Sequence, residues 1–135
     1  MQSASHSGMN VENKAEVMII KPENLILVTG VAGFIGTRVV ESLLNRGFRN
    51  VRCFVRPSSN CGKLELMREG FRDKAHVEIV KGNLLSREDC LAAVKDVAVV
   101  YHLAAGRGER LVSDAFMNSV VTTRNLLEAC HKENR

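Results

Sequence analysis

The sequence predicts an α/β fold, in which a doubly wound parallel sheet carries helices on both of its faces. Short apolar runs of strand length alternate four times with segments whose apolar residues recur at helical spacing. A glycine-rich turn, TGVAGFIG at residues 29–36, joins the first run to the first helical segment. With 45% hydrophobic and 25% charged residues, the 135-residue chain has the composition of a globular domain. Such alternation implies right-handed crossovers and places the first and fourth strands side by side.

The first strand and the first helix flank the glycine turn. Residues 25–28 are continuously apolar, as expected of a central strand that is buried on both faces. The following helix is predicted to begin at Phe34, and Asn45-Arg46-Gly47 supplies its stop signal. Its apolar residues recur at helical spacing and are Phe34, Ile35, Val39, Val40, Leu43 and Leu44.

Three further strand and helix units follow. Strands are predicted at residues 51–55, 77–80 and 98–103, and helices at residues 63–69, 86–94 and 112–132. Ser86 and Asp89 resemble a capping box that opens the third helix.

The glycines of the turn have the spacing of a phosphate-binding loop. Gly30 can take backbone angles closed to other residues, Gly33 lets the backbone approach a pyrophosphate, and Gly36 lets the helix pack closely. The N-terminus of the helix offers unpaired N–H groups and partial positive charge to an anion. We interpret the turn as a cradle for a dinucleotide, and a plain strand-to-helix turn is the alternative.

These residues and three later motifs resemble the extended short-chain dehydrogenases/reductases, also called the NAD-dependent epimerase/dehydratase family. Gly82-Asn83-Leu84 stands where that family has Gly-Asp-Leu, and His102-Leu103-Ala104-Ala105 is similar to its His-x-Ala-Ala strand end. Residues 123–129 (TRNLLEA) look like its Asn-Leu-Leu-Glu-Ala helix. The resemblance covers the chain from residue 25 to its last residue, in the family's order.

The resemblance implies a Rossmann-type sheet that is truncated after the fourth strand-helix unit. Residues 24–135 would be the N-terminal portion of an NAD(P)-binding domain, and residues 1–23 a flexible tail. In this family a Tyr-x-x-x-Lys helix follows; here the only tyrosine is Tyr101, and Ala105 stands four residues later. No catalytic residue is therefore assigned, and we expect no dehydrogenase activity from this chain alone.

The implied function is the cofactor-binding part of an oxidoreductase, epimerase or dehydratase that transfers hydride between nicotinamide and a carbonyl or carbinol carbon of a small-molecule substrate. A non-catalytic NAD(P)-binding regulatory or sensor module is the alternative from another class. A structural interaction protein that keeps the fold without a cofactor is a third.

The end of the second strand bears on the choice of cofactor. An acidic residue there would bind the ribose 2′-hydroxyl of NAD, but Val55 occupies that position and Arg56 follows. A guanidinium can bind a 2′-phosphate through two hydrogen bonds, and Ser58 and Ser59 offer hydroxyl donors. NADP is favoured and NAD remains an alternative.

Smaller roles are assigned within the same predicted site. Asn83 would contact the adenine amine and Leu84 would flank the base. Ala104 and Ala105 would lie close to the nicotinamide-side ribose or simply allow tight packing, and His102 is predicted to be structural. The predicted cofactor-binding residues are Thr29, Gly30, Ala32, Gly33, Phe34, Ile35, Gly36, Arg56, Asn83, Leu84, Leu103, Ala104 and Ala105.

The last predicted helix departs from the family pattern. Aligned as one regular helix, it puts Ser119 at the family's helix asparagine, and Asn118 falls one position early. The family implies a homodimer through residues 112–132, on which we expect four apolar side chains to be partly exposed: Val120, Leu126, Leu127 and Ala129. The loop at residues 106–110 is charged and could close over the cofactor or remain exposed.

Charge and cysteine content exclude several other classes. The net charge is +4, but basic and acidic residues are interspersed and only Arg46, Arg49, Arg52 and Arg56 cluster, so nucleic-acid binding is not expected. Neither a membrane span nor a secretory signal is apparent, and we expect a cytoplasmic protein. The four cysteines are spaced for neither a disulfide framework nor a metal site: Cys53, Cys61, Cys90 and Cys130.

Overall fold

The computed structural model describes residues 19–106 and 110–134. Four strands form one parallel sheet: β1 (Leu25–Thr29), β2 (Asn50–Val55), β3 (His76–Lys81) and β4 (Val97–His102). The strand order is β3-β2-β1-β4, so β1 and β4 are neighbours as predicted. At the carboxyl ends of these two strands Thr29 pairs with His102, and the crevice above them is the expected ligand position of such sheets.

The helices connect the strands in the predicted order. Their bounds are α1 (Phe34–Asn45), α2 (Gly62–Phe71), α3 (Arg87–Val94), α4 (Val112–Phe116) and α5 (Thr122–Glu133). The Ser86 hydroxyl accepts a hydrogen bond from the Asp89 N–H at 3.2 Å, which confirms the predicted cap of α3.

One predicted helix is instead composed of three pieces. Between α4 and α5 lies a π-helical segment, Met117–Val121, in which the Thr122 N–H donates to the Met117 carbonyl. A π turn accommodates one residue more than an α turn, and such turns are frequent at functional sites. The prediction of one regular helix over residues 112–132 is wrong at this segment. The residues of the π segment therefore point in other directions than they would in a regular α-helix.

Apolar side chains pack on both faces of the sheet. On β1, Ile26 and Val28 belong to the core beneath α1 and α2, whereas Leu27 belongs to the core beneath α3 and α5. This double burial explains why β1 is continuously apolar. The sheet is therefore doubly wound, as predicted.

The packing of α5 corrects one expectation about exposed residues. Leu126 and Ala129 are buried in the core shared with α3, because they lie on the inner face of α5. Val120 and Leu127 are exposed, as expected, with 52% and 65% of their surface accessible. The exposed apolar surface is therefore narrower on α5 than predicted and extends instead to Phe116 in α4.

Two predicted segments fall largely outside the described residues. Of the predicted tail at residues 1–23, the described part begins at Ile19; there Ile20 packs against the core and the Pro22 carbonyl accepts from the Arg49 N–H. Of the predicted charged loop, only Gly106 and Arg110 are described. None of the helices in the described part of the chain is long and apolar enough to span a membrane.

Candidate functional site

A cavity of about 350 Å³ opens over the carboxyl ends of β1, β2, β3 and β4. Nine of the residues predicted from the sequence line it: Gly30, Ala32, Gly33, Arg56, Asn83, Leu84, Leu103, Ala104 and Ala105. The other four predicted residues do not line it: Thr29, Phe34, Ile35 and Gly36. Thr29 and Gly36 are buried beneath the cavity, whereas Phe34 and Ile35 are exposed at the start of α1.

Two glycines of the turn are required by the fold itself. Gly30 has φ +69°, and a Cβ on it would lie 2.7 Å from the Ala104 nitrogen and the Leu103 carbonyl carbon. A Cβ on Gly36 would lie 2.2 Å from the Gly30 oxygen and 2.6 Å from the Val31 Cα. The turn is thus packed between the end of β4 on one side and α1 on the other, with no room for either side chain.

Gly33 differs from the other two glycines of the turn. It is the N-cap of α1, with φ −81° and ψ 169°, an extended conformation that any residue adopts. Its backbone does not require glycine, and Gly33 lines the cavity. This is the geometry expected where a ligand approaches the backbone.

The first turn of α1 is open to an anion. No side chain caps it, and it contains no acidic residue. The Thr37 hydroxyl, which sequence analysis missed, is within 2.8 Å of the Val31 carbonyl and 2.9 Å of the Gly33 carbonyl and ties the turn to the helix. Unpaired N–H groups at such a terminus favour negative charge.

At the end of β2, Arg56 and Ser59 line the cavity. The Ser59 N–H donates to the Arg56 carbonyl at 3.0 Å, so a tight turn keeps the two residues together. Arg56 is exposed, and within residues 19–106 and 110–134 no carboxylate pairs with it. Val55, at the position expected of an acidic residue, also lines the cavity.

The loop after β3 is fixed by three polar side chains. The Asn83 Oδ1 accepts from the Leu85 N–H at 2.9 Å, and the Asp89 carboxylate accepts from the Asn83 N–H at 2.8 Å. Asn125 of α5 is 4% exposed and donates to the carbonyls of Leu84 and Leu85 at 3.0 and 3.2 Å. Sequence analysis did not assign Asn125, although a polar residue on the apolar face of a helix was an available signal.

His102 lies at the other end of the cavity, beneath its wall. Its Nδ1 is 2.7 Å from the Thr29 hydroxyl and its Nε2 is 2.9 Å from the Thr123 hydroxyl. Burial lowers the pKa of His102 below its usual value. Both ring nitrogens are thus engaged within the protein, in line with the predicted structural role.

The π segment decides which polar residue of the last helix faces the cavity. Asn118 and Thr122 line it, whereas the Ser119 hydroxyl accepts from the Gly106 N–H at 2.9 Å. In this structure Asn118 therefore faces the cavity and Ser119 does not, because the π turn adds one residue.

The cysteines and acidic residues form no second site in the described ranges. Burial raises the pKa of the Cys53 thiol to about 12 and that of Cys90 to about 11, so both remain protonated at neutral pH. All four cysteines are free thiols. Among residues 19–106 and 110–134, no group of three His, Cys, Asp or Glu residues is placed to hold a metal ion.

Comparison with known proteins agrees with this geometry. The sequence model of the NAD-dependent epimerase/dehydratase family matches residues 26–135. An uncharacterised oxidoreductase of Schizosaccharomyces pombe is 42% identical over 82 residues, covering 60% of this chain and 24% of that protein. The 3β-hydroxysteroid dehydrogenase/Δ5→4-isomerase of Mycobacterium tuberculosis is 34% identical over 114 residues, covering 77% of this chain and 27% of that protein. This chain thus spans about a quarter of the length of these two relatives.

A solved structure of an epimerase has a similar fold. The UDP-glucuronic acid 4-epimerase of Bacillus cereus in complex with NAD superposes with a TM-score of 0.62 and 30% identity, covering 81% of this chain and 37% of the epimerase. The doubly wound sheet, with its glycine turn at the crevice between β1 and β4, defines a Rossmann-type α/β protein. The chain belongs to the NAD-dependent epimerase/dehydratase family.

Proposed function

We propose that this chain is the cofactor-binding part of an NAD(P)-dependent oxidoreductase, epimerase or dehydratase, and that it prefers NADP. The observation that carries the proposal is the cavity of about 350 Å³ that is lined by the glycine turn and by the ends of β2, β3 and β4. A dinucleotide laid across these strand ends would have its pyrophosphate at the turn, where α1 offers N–H groups and partial positive charge.

The preference for NADP is supported by the end of β2. Arg56 is exposed at the cavity without a carboxylate partner in the described part of the chain, and Ser59 lies beside it. A 2′-phosphate would supply the missing negative charge and accept hydrogen bonds from both side chains. NAD would gain neither contact, and Val55 cannot bind its ribose hydroxyl through a carboxylate.

Adenine is proposed to lie beside Asn83 and Leu84. The Asn83 Oδ1 already accepts from the Leu85 N–H, which fixes the orientation of the amide. Its second lone pair is available to the adenine amine, and its NH₂ group to a ring nitrogen. Unlike the family's aspartate, this side chain carries no charge, so the contact should be weaker.

The chemistry of a longer protein would be hydride transfer between nicotinamide and a substrate carbon, and Ala104 and Ala105 would lie nearest to the nicotinamide end. The tyrosine and lysine that carry acid and base chemistry in the family would lie outside this chain. A regulatory or sensor module that binds NAD(P) without catalysis is the second candidate. A Tyr-x-x-x-Lys segment in a longer reading frame would favour the enzyme over the sensor module. Cytoplasmic location stays a prediction.

Replacing Gly33 with valine should weaken NADPH binding by several-fold or more. A valine side chain would fill the space at the turn, whereas the extended backbone of this residue accepts it without strain. Fluorescence titration with NADPH measures the loss. Gly70→Ala is the matched control, because a Cβ there meets nothing within 4 Å.

The outcome distinguishes the site from a plain turn. Equal affinities for Gly33→Val and the parent chain, with both folded by circular dichroism, would show that no ligand approaches this backbone. If NADPH and NADH both fail to bind the parent chain, the cofactor-binding function itself is wrong.

We also propose a homodimer through the helical region at residues 112–132. Its exposed apolar side chains are Val112, Phe116, Met117, Val120 and Leu127. Exposed apolar side chains of this kind favour association.

Sedimentation at tens of micromolar should therefore show the parent chain heavier than a monomer. Leu127→Glu should shift it toward the monomer, since a carboxylate would be buried on association. Leu66→Glu, at a leucine of α2 that is 77% exposed, should leave association unchanged. A monomeric parent chain would refute the proposed interface.

A further inference from the structure

A chain of hydrogen bonds passes through His102 from β1 to the π segment. The Thr29 hydroxyl lies 2.7 Å from Nδ1, and the Thr123 hydroxyl lies 2.9 Å from Nε2. The Thr123 hydroxyl in turn donates to the Ser119 carbonyl at 2.5 Å. Each of these hydroxyls has one hydrogen, so the direction of every bond can be derived by counting.

The count begins at Thr29, which is completely buried. Its oxygen accepts from the N–H groups of Leu103 and Ala104 at 3.1 and 3.2 Å, which occupies both lone pairs. Its hydrogen must therefore point to the Nδ1 of His102, which acts as the acceptor. The neutral ring then carries its proton on Nε2 and donates it to Thr123, whose own hydrogen is directed at Ser119.

This chain supports residues 103–106, which we call the 103–106 wall. Leu103, Ala104 and Ala105 line the cavity, and the Gly106 N–H donates to the Ser119 hydroxyl at 2.9 Å. Thr29 thus holds one end of the wall and Ser119 the other. The wall also touches the glycine turn, because a Cβ on Gly30 would meet its backbone at 2.7 Å.

Protonation of His102 is incompatible with this arrangement. An N–H at Nδ1 would be a third donor directed at the Thr29 oxygen, which has only two lone pairs. The oxygen would have to release Leu103 or Ala104, or the ring would have to turn away from Thr29. In either case the 103–106 wall loses a support, and it lies too close to the turn to move without altering the cavity.

We propose that neutral His102, protonated at Nε2, is a positioning residue that holds the 103–106 wall in its dinucleotide-binding shape, so that protonation of the ring weakens binding. This inference rests on the proposed function. His102 acts through Thr29 and Thr123 and does not line the cavity itself.

Charged neighbours do not offset this effect in the described part of the chain. β1 contains no titratable residue, and neither does Met117–Val121. On β4, Tyr101 points to the opposite face of the strand. On α5, Arg124 and Glu128 pair with each other at 3.7 Å. Burial is the only cause of the lowered pKa of His102.

Because burial lowers the pKa of His102, acid should weaken both folding and dinucleotide binding. The pKa is lower in the folded than in the unfolded chain, so the folded ring binds fewer protons below the usual histidine pKa. Stability should therefore be constant from pH 8 to about 6.5 and decrease below it. Affinity should decrease at still lower pH, where the ring of the folded chain itself becomes protonated.

The test measures NAD binding by calorimetry between pH 8 and pH 5, because NAD lacks the 2′-phosphate that would titrate in this range. Loss of one hydrogen-bonded support should weaken binding about fivefold at the acid end. His102→Gln should remove the pH dependence. His76→Gln, at an exposed histidine of β3, should retain it.

Nuclear magnetic resonance of the unliganded parent chain provides a measurement that needs no variant. The ring of His102 should show a protonated Nε2 and an unprotonated Nδ1, and the amide signals of Leu103, Ala104 and Gly106 should shift with its titration. A ring protonated at Nδ1, or a wall whose signals do not follow the ring, would overturn the inference even if His102→Gln fails to fold.

The possible binding results separate this inference from the proposed function. Binding that is independent of pH in the parent chain overturns the positioning role and leaves the cofactor site intact. Absence of both NAD and NADPH binding at pH 8 overturns the proposed function and with it the ligand part of this inference, while the wall is still judged by its amide signals.

Discussion

Replacing Gly36 with alanine is expected to lower the melting temperature by roughly 10–20 °C, or to prevent folding. A Cβ at this position would lie 2.2 Å from the Gly30 oxygen and 2.7 Å from the Gly30 carbonyl carbon. Both neighbours are backbone atoms, so no flexible side chain can move aside. The helix α1 must then separate from the turn, and overpacking of this severity costs about 3 kcal/mol or more.

Thermal unfolding followed by circular dichroism measures this effect. Gly70→Ala is again the control, and it should be slightly stabilising, since alanine is favoured over glycine in a helix by up to about 1 kcal/mol. An unchanged melting temperature for Gly36→Ala would mean that α1 does not contact the turn this closely.

Replacing Arg56 with alanine should weaken NADPH binding roughly 10- to 100-fold and leave NADH binding almost unchanged. The physical reason is a charge-assisted hydrogen bond to the 2′-phosphate, which contributes roughly 1.5–3 kcal/mol and which NADH cannot form. Arg56→Lys should retain part of the affinity, because a lysine keeps the charge but loses the two-pronged geometry.

Arg49 provides the matched control. It is another exposed arginine of the predicted basic cluster and does not line the cavity, so Arg49→Ala should affect neither cofactor. Ser59→Ala should cause a smaller loss that is also confined to NADPH. Equal losses of NADPH and NADH affinity on changing Arg56 would contradict the NADP preference.

The strands and the glycine turn were predictable because their signals are local. Residues 25–28 are apolar without interruption, and the observed β1 extends them by Thr29 alone. Gly30 and Gly36 were assigned to a strained turn and to close packing, and both distances agree. Patterns of this kind depend on one strand, one turn and one helix, all adjacent in the chain.

The π segment was not predictable in the same way. One extra residue leaves the average spacing of apolar residues almost unchanged, so the pattern of residues 112–132 predicts a regular helix. The change becomes visible only where the register matters, at Asn118 and Ser119. The pairing of Thr29 with His102 likewise depends on the register between β1 and β4, which the two separate strand patterns do not define.

Helix α5 contributes a hydrogen-bonding side chain at each of the two ends of the cavity. Thr123 binds His102 below the 103–106 wall, and Asn125, two residues later, holds the carbonyls of Leu84 and Leu85 at the other end. A sliding of α5 by one residue, about 1.5 Å, would exceed the tolerance of both sets of hydrogen bonds. The distance between the two sides of the cavity is therefore set by α5, which is not part of the glycine turn. A partner that bound to the outer face of α5 and shifted it would alter both sides of the cavity together.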